Sequence, residues 1–234
     1  MGTPDFAVAS LAALVDNGFQ VVGVVTAPDR PAGRGLQLKP SAVKEYAVSK
    51  NLALLQPEKL RDPGFQNALL DWNADLQVVV AFRMLPESVW NMPPLGTINV
   101  HGSLLPDYRG AAPINWAVIN GEKKTGVTTF KLQHAIDTGD ILLQATMDIG
   151  PAETATSVHD RMKILGADTL VKTLMGLQQQ NLVAKPQILS GLAKHAPKIF
   201  TTDCELDFTQ PVLAVFNRVR GLAEFPGAMT QLEG

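Results

Sequence analysis

The sequence predicts an α/β protein: a Rossmann-like, mostly parallel sheet with helices on both faces, followed by the start of a second domain. Two observations carry the first part. Short apolar runs rich in β-branched residues occur over 19–25, 76–81 and 96–101, each bounded by turn-forming residues. Between them lie amphipathic stretches of helical period, and strands that alternate with helices build parallel βαβ units whose helices cover both sheet faces. A hydrophobic content of 46% over 234 residues is enough to bury one large core with room for part of another domain.

In chain order, residues 5–16 form the first predicted helix, opening on Pro4 and ending near Gly18. The chain starts with the turn Gly2-Thr3-Pro4 where a doubly wound domain has a strand, so a first strand is expected to be missing. The strand over 19–25 leads into 26–40, where Pro28, Pro31, Pro40, Gly33 and Gly35 accompany Arg30, Arg34 and Lys39. That composition reads as an irregular, basic loop. Helices over 41–50, 65–72, 86–90 and 112–120 then alternate with the strands over 76–81 and 96–101. At 126–133 and 141–149 the pattern changes to two strands joined by a turn that contains Asp137, an antiparallel hairpin. Val158, Met162, Leu165, Leu170, Leu174 and Leu177 recur at near-helical spacing through 154–180, a long helix packed across the sheet. Beyond Lys185-Pro186 the composition loosens, and a further helix-like piece spans 212–222.

Charge and cysteine content narrow the functional classes. With a net charge of −2, a nucleic-acid partner has to be met by a local basic patch, not by the field of the whole molecule. A single cysteine, Cys204, excludes a disulfide framework and a cysteine-rich metal site, and points to a cytoplasmic setting. The sequence has no apolar run of about 18 residues, and Met1-Gly2-Thr3-Pro4-Asp5 lacks the basic and apolar regions of a signal peptide. Neither secretion nor membrane insertion is expected.

The chemistry concentrates in Thr97-Ile98-Asn99-Val100-His101-Gly102-Ser103-Leu104-Leu105-Pro106 and in Ile136-Asp137-Thr138-Gly139-Asp140. The two-residue period of a strand sends Ile98 and Val100 to one face, Asn99 and His101 to the other. Gly102 and Pro106 end the strand, so His101 opens into a loop at the carboxyl edge of the sheet, where open α/β folds keep their ligands. Taken singly, His101 reads as a core histidine and Asp137 as a turn residue. Together they place an amide, an imidazole and a carboxylate within reach of one another, and a core avoids such a group unless each member finds a partner. No His-x-x-x-His spacing supports a metal site, no G-x-S-x-G elbow supports a serine hydrolase, and Gly33-x-Gly35 lacks the remainder of a dinucleotide motif.

Asn99-x-His101-x-Ser103-Leu104-Leu105-Pro106, Arg109-Gly110-Ala111-Ala112-Pro113-Ile114 and Asp137-Thr138-Gly139-Asp140 together resemble the formyltransferase family that uses 10-formyltetrahydrofolate. Gly2-Thr3-Pro4-Asp5-Phe6 and the segment from Thr26 to Gly35 resemble the methionyl-tRNA formyltransferase branch of it. The resemblance implies that Asn99, His101 and Asp137 are catalytic, with Asn99 and His101 as N–H donors to the reacting oxygen and Asp137 beside His101. It further implies that Phe82, Met84, Leu85, Ser103, Leu104, Leu105 and Pro106 contact the folate. Arg30, Arg34 and Lys39 would meet the acceptor end of initiator methionyl-tRNA. The implied formyl donor is 10-formyltetrahydrofolate, with no metal, and the chain is expected to be a monomer. The implied domains are a catalytic domain over 1–187, a linker over 188–206 and the beginning of a β-barrel domain over 207–234. Formylation of a small amine such as a nucleotide sugar is the alternative, and a non-catalytic RNA- or folate-binding module a further one.

Overall fold

The computed structural model describes residues 1–32, 37–189 and 191–231. Helix α1 (Asp5–Asp16) follows Pro4 and closes at Asn17, whose N–H returns to the Ala13 carbonyl. Next come β1 (Val24–Val25), β2 (Arg30–Ala32), β3 (Gln37–Lys39), α2 (Ala42–Ser49) and β4 (Leu54–Leu55). The Ser41 hydroxyl caps α2 by accepting the Lys44 N–H at 3.0 Å, as a serine at that position should. Helix α3 (Pro63–Asp71), β5 (Gln77–Val80), α4 (Glu87–Trp90) and β6 (Thr97–His101) complete the first half. The second half holds β7 (Arg109–Gly110), α5 (Pro113–Ile119), the hairpin of β8 (Lys124–Lys131) and β9 (Ile141–Asp148), the long helix α6 (Ala155–Gln178), β10 (His195–Ala196), a 3-10 turn over Thr201–Cys204 and α7 (Val212–Leu222).

The strands assemble as the alternation predicts. β4 pairs in parallel with β1, and β5 in parallel with β6. Met1 and Gly2 lie between the two pairs: the Gly2 N–H donates to the Val25 carbonyl at 3.1 Å, and the Val80 N–H donates to the Met1 carbonyl at 2.9 Å. Beyond β6 the sheet turns antiparallel through β8 and β9. Two cores flank it. Val80, Ile98 and Val100 face Phe6, Val43, Met162 and Leu170 from α1, α2 and α6. On the other face Val25 and Val79 meet Phe65, Leu69 and Val89 from α3 and α4. Val78, Ile98 and Val100 therefore point one way while Val79, Asn99 and His101 point the other, as a pleat requires.

Two expectations need correction. The run over 19–25 is strand only at Val24–Val25, because its neighbours β4 and Met1–Gly2 are each two residues long and give the preceding residues no ladder to join. The segment over 26–40 is not an irregular loop: β2 and β3 form an antiparallel ribbon in which Arg30 stands opposite Lys39 and Pro31 opposite Leu38. Pro31 is tolerated because a two-stranded ribbon has only edges, and an edge strand can do without one N–H. Arg34, with Gly33, Gly35 and Leu36, lies outside the described residues. From Phe200 onward the described residues contain the 3-10 turn, α7 and an isolated parallel bridge between Glu205 and Met229.

Met162 of α6 is fully buried beneath Gly102, where the strand leaves the sheet. Met162→Ala should lower the unfolding free energy by about 2–5 kcal/mol, through lost transfer energy and the cavity left behind. Denaturant midpoints would read this, and a change below about 1 kcal/mol would show that α6 collapses onto the gap.

Candidate active site

β5 and β6 run parallel in register, Val80 opposite Val100, so the segments that follow them leave the sheet at one edge. On the polar face of β6, Asn99 is half-buried and its amide enters none of the side-chain hydrogen bonds among the described residues. His101 is 7% exposed and meets Phe130 of β8 edge-on, with ring centroids 6.5 Å apart. Its Nε2 lies 2.8 Å from the Tyr108 carbonyl. A carbonyl only accepts, so Nε2 carries the hydrogen, and Nδ1 faces Asp137 Oδ2 at 3.7 Å. The family resemblance casts His101 as an N–H donor to substrate; here its Nε2–H is directed at Tyr108, which leaves Asn99 as the donor without a partner among the described residues.

Asp137 reaches His101 because three backbone positions bend unusually. Asp137 itself has φ +54°, Tyr108 has φ +59° and Gly110 has φ +128°. Aspartate tolerates the left-handed region better than most residues, but a tyrosine there is an outlier of the kind that clusters at functional sites. At Gly110 glycine is obligatory for a second reason: a Cβ would overlap the Ala196 carbonyl of β10, which pairs in parallel with β7. The Gly110 N–H then donates to Asp137 Oδ2 at 2.9 Å. Gly139 is equally constrained, since a Cβ there would overlap the Lys131 carbonyl across the hairpin neck.

The loop after β6 is held from inside. Ser103 is fully buried, its hydroxyl donating to the Asp107 carbonyl at 2.6 Å. Thr128 donates to the Ser103 carbonyl and accepts the Leu105 N–H, while Gln144 donates to the Leu105 carbonyl. Of the proposed folate contacts, Ser103 and Leu105 thus serve the loop's interior, and Leu104 and Pro106 remain half-buried at its surface. Tyr108 is clamped at its far end: its hydroxyl donates to Glu122 at 2.5 Å, and Glu122 is ion-paired with Lys194. Burial and the Glu122 carboxylate push the Tyr108 hydroxyl far above its ordinary range. Burial raises Glu122 too, but the hydrogen bonds from Lys194 and Tyr108 outweigh it and hold this carboxyl below its ordinary value.

Beside the same edge lies a cavity of about 270 Å³ lined by Leu60, Arg61, Arg83, Met84, Leu85 and Pro86. Met84 is 74% exposed, whereas Leu85 is buried and Phe82 packs against the core of that face. The Arg83 guanidinium donates to the carbonyls of Glu58 and Pro57, and its buried Nε has no partner among the described residues. The basic ribbon stands on a fixed base. Asp29 accepts from Lys44 at 2.5 Å and from Gln56 at 2.8 Å, and these bonds hold its carboxyl below the ordinary value. The ribbon and the Asn99 strand both depart from the carboxyl end of the parallel strands.

Sequence reasoning gave no role to Tyr108, Arg83, Lys194 or Gln187, and Gly110 entered it only within the motif Arg109-Gly110-Ala111-Ala112-Pro113-Ile114. The segment expected to be a linker, 188–206, also contributes directly: β10 pairs with β7, the Tyr108 N–H donates to the Lys194 carbonyl, and Trp116 donates to the Pro197 carbonyl.

The fold is a Rossmann-like sheet with a polar cluster at its carboxyl edge, and comparison with known proteins shows its family. The chain belongs to the formyl transferase family, whose model matches residues 1–174, with the family's C-terminal domain matching residues 198–234. It is 52% identical to the methionyl-tRNA formyltransferase of Bacteroides thetaiotaomicron over 99% of this chain and 73% of that protein. The corresponding protein of Parabacteroides distasonis is 54% identical, again over 99% of this chain and 73% of its own length. The solved N-formyltransferase of Helicobacter canadensis, in complex with folinic acid and dTDP-3-aminofucose, shares the fold with a TM-score of 0.68 at 19% identity, covering 94% of this chain and 78% of that one.

The Glu122 clamp makes a prediction with a definite sign. A carboxyl whose folded pKa is lowered contributes stability that is complete above its ordinary value of 4.5 and is lost as the pH falls through the folded value. The stability difference between the unmodified chain and Glu122→Gln should therefore be constant near neutrality and shrink below that value. Urea midpoints measured across the acid range would show it, and a difference independent of pH would remove Glu122 from the clamp.

Proposed function

We propose that this chain transfers the formyl group of 10-formyltetrahydrofolate to the α-amino group of initiator methionyl-tRNA, in the cytoplasm. The carrying observation is the Asn99 amide, free of side-chain hydrogen bonds among the described residues, beside the paired His101 and Asp137. The relatives at 52–54% identity, named for this reaction, support the substrate. The Helicobacter canadensis neighbour, solved with folinic acid, supports the folate.

The reaction is attack of an amine on an amide-like carbonyl, so charge gathers on the carbonyl oxygen as the new bond forms. Asn99 supplies an N–H to that oxygen from a strand gripped on both sides, which is the preorganised geometry that electrostatic stabilisation needs. The amine must lose a proton. Asp137, with Oδ2 on the Gly110 N–H and the His101 ring alongside, Nδ1 at 3.7 Å, is the acceptor. His101 is kept in place by the Tyr108 carbonyl. Methionyl α-amino groups are partly neutral near pH 7 to 8, so no stronger base is required.

The donor's pterin and benzoyl groups are flat and carry ring nitrogens and carbonyls. The cavity suits them: Leu60, Leu85 and Met84 give apolar walls, and Arg61 gives hydrogen-bond donors. Of the other proposed contacts, Phe82 packs on the core of that face, Leu104 and Pro106 are half-buried on the loop after β6, and Ser103 and Leu105 hold that loop from within.

The ribbon supports an RNA substrate. Arg30 and Lys39 face each other directly across β2 and β3, an arrangement that is destabilising for like charges and that a phosphate backbone relieves. A nucleotide-sugar amine would make no use of it. Arg34 belongs to the same proposed contact.

Formyl transfer to charged initiator tRNA should be measured beside transfer to an amino sugar nucleotide. Activity on the tRNA alone is expected, and preference for the sugar would sink the substrate assignment. Asn99→Ala should lower kcat by about 10²–10³ with little change in folate affinity, since its donor acts mainly in the transition state.

Arg30→Ala and Lys39→Ala should each raise the KM for tRNA at moderate salt. Each should also flatten the dependence of log KM on log salt concentration by roughly 0.7–0.9 for every phosphate the ribbon no longer neutralises. An unchanged salt slope would show the ribbon to be a solvated spacer.

A further inference from the structure

We infer that Gln187 is the positioning residue for Asp137, and that Arg109 holds Gln187 in that task. The inference rests on the reading of Asp137 as the proton acceptor and adds to it what keeps that carboxylate aimed.

Every hydrogen-bonding direction of the Gln187 amide is used, and all of them point at the site. Its Nε2 donates to the backbone carbonyls of Asp137 and Gly139, each at 2.8 Å. Its Oε1 accepts from Arg109 Nη2 at 2.5 Å and Nε at 3.2 Å. The two carbonyls converge on one amide because the hairpin turn passes through the left-handed region at Asp137. Two acceptors turned toward the same point repel unless a two-hydrogen donor stands between them, and a primary amide is the side chain that offers two N–H groups and an acceptor on one planar head. Gln187 is itself anchored, since Lys185 and Ile141 exchange backbone hydrogen bonds at 2.7 and 2.8 Å.

The geometry isolates the role. Gln187 has no hydrogen bond to Asn99 or His101 among the described residues. Arg109 and Gly110 are adjacent in β7: the first grips Asp137's backbone through Gln187, and the second grips its Oδ2 directly. Asp137 is thus fixed at both ends by one two-residue strand, and rotation of the turn would carry Oδ2 away from His101. Misplacement of a reacting group by about 1 Å can cost on the order of a hundredfold in rate.

The test compares Gln187→Ala, Gln187→Glu, Asp137→Asn and the double variant Gln187→Ala/Asp137→Asn in the full chain, with melting curves alongside. Gln187→Glu keeps the shape and the Arg109 partner but removes both donors, so it separates positioning from folding. Both single Gln187 variants should lower kcat by about ten- to a hundredfold with the KM for folate and tRNA within about twofold. The double variant should be no slower than Asp137→Asn alone, because a misaimed carboxylate and an absent one are the same loss. A Gln187→Glu variant that melts normally and keeps its kcat would overturn the inference, as would a double variant slower than Asp137→Asn by the full Gln187 factor; either result leaves Asp137's role intact. A near-normal Asp137→Asn would instead overturn the reading of Asp137, and this inference with it.

Discussion

The hydrogen bond from the Gly110 N–H to Asp137 Oδ2 is the contact on which the site depends. It joins two loops that the sheet alone does not align: one leaves β6, the other closes the β8–β9 hairpin. To make it, the chain adopts left-handed backbone at Tyr108 and Asp137 and a glycine-only conformation at Gly110. Such positions cost on the order of 1–3 kcal/mol each and persist only where their surroundings over-determine them. Here they do. Tyr108 is held at its N–H, carbonyl and hydroxyl; Asp137 is held at its carbonyl and its carboxylate.

The sheet provides the rigidity that makes this arrangement useful. β6 carries core on one face and chemistry on the other, with β5 and β8 bonded along both its edges. Buried Ile98 and Val100 fix which way Asn99 and His101 must point, since a slip of one residue would send the apolar pair into the site and the polar pair into the core. Packing thereby sets the direction of Asn99 and His101.

Where the determinants are local, the sequence was readable. The alternation in β6, Ser41 capping α2, Asp62 capping α3 and the apolar stripe of α6 all act over a few residues, and their elements appeared within a residue or two of expectation. The same is true of Asn99, His101 and Asp137 as a group, because each sits at a strand end or turn that the chain marks with glycine or proline. What could not be read is long-range. Nothing near Gln187 announces that its amide serves two carbonyls some 50 residues earlier. Nothing near His101 announces that a carbonyl seven residues on will accept a hydrogen bond from its Nε2–H. The ribbon of β2 and β3 was obscured for a different reason: Pro31 opposes strand formation in general, but a two-stranded edge tolerates it.

The parallel pairing of β10 with β7 has a temporal consequence. His195 and Ala196 must reach Arg109 and Gly110, some 86 positions earlier in the chain, before the loop behind them can settle. Closing so long a loop is entropically slow compared with forming α6 or the β8–β9 hairpin. During synthesis the sheet and its helices can therefore assemble while Gly110 still lacks the strand that presses it toward Asp137. The sheet can thus form before the Gly110 contact does, and that contact is backed only once His195 and Ala196 have emerged and docked.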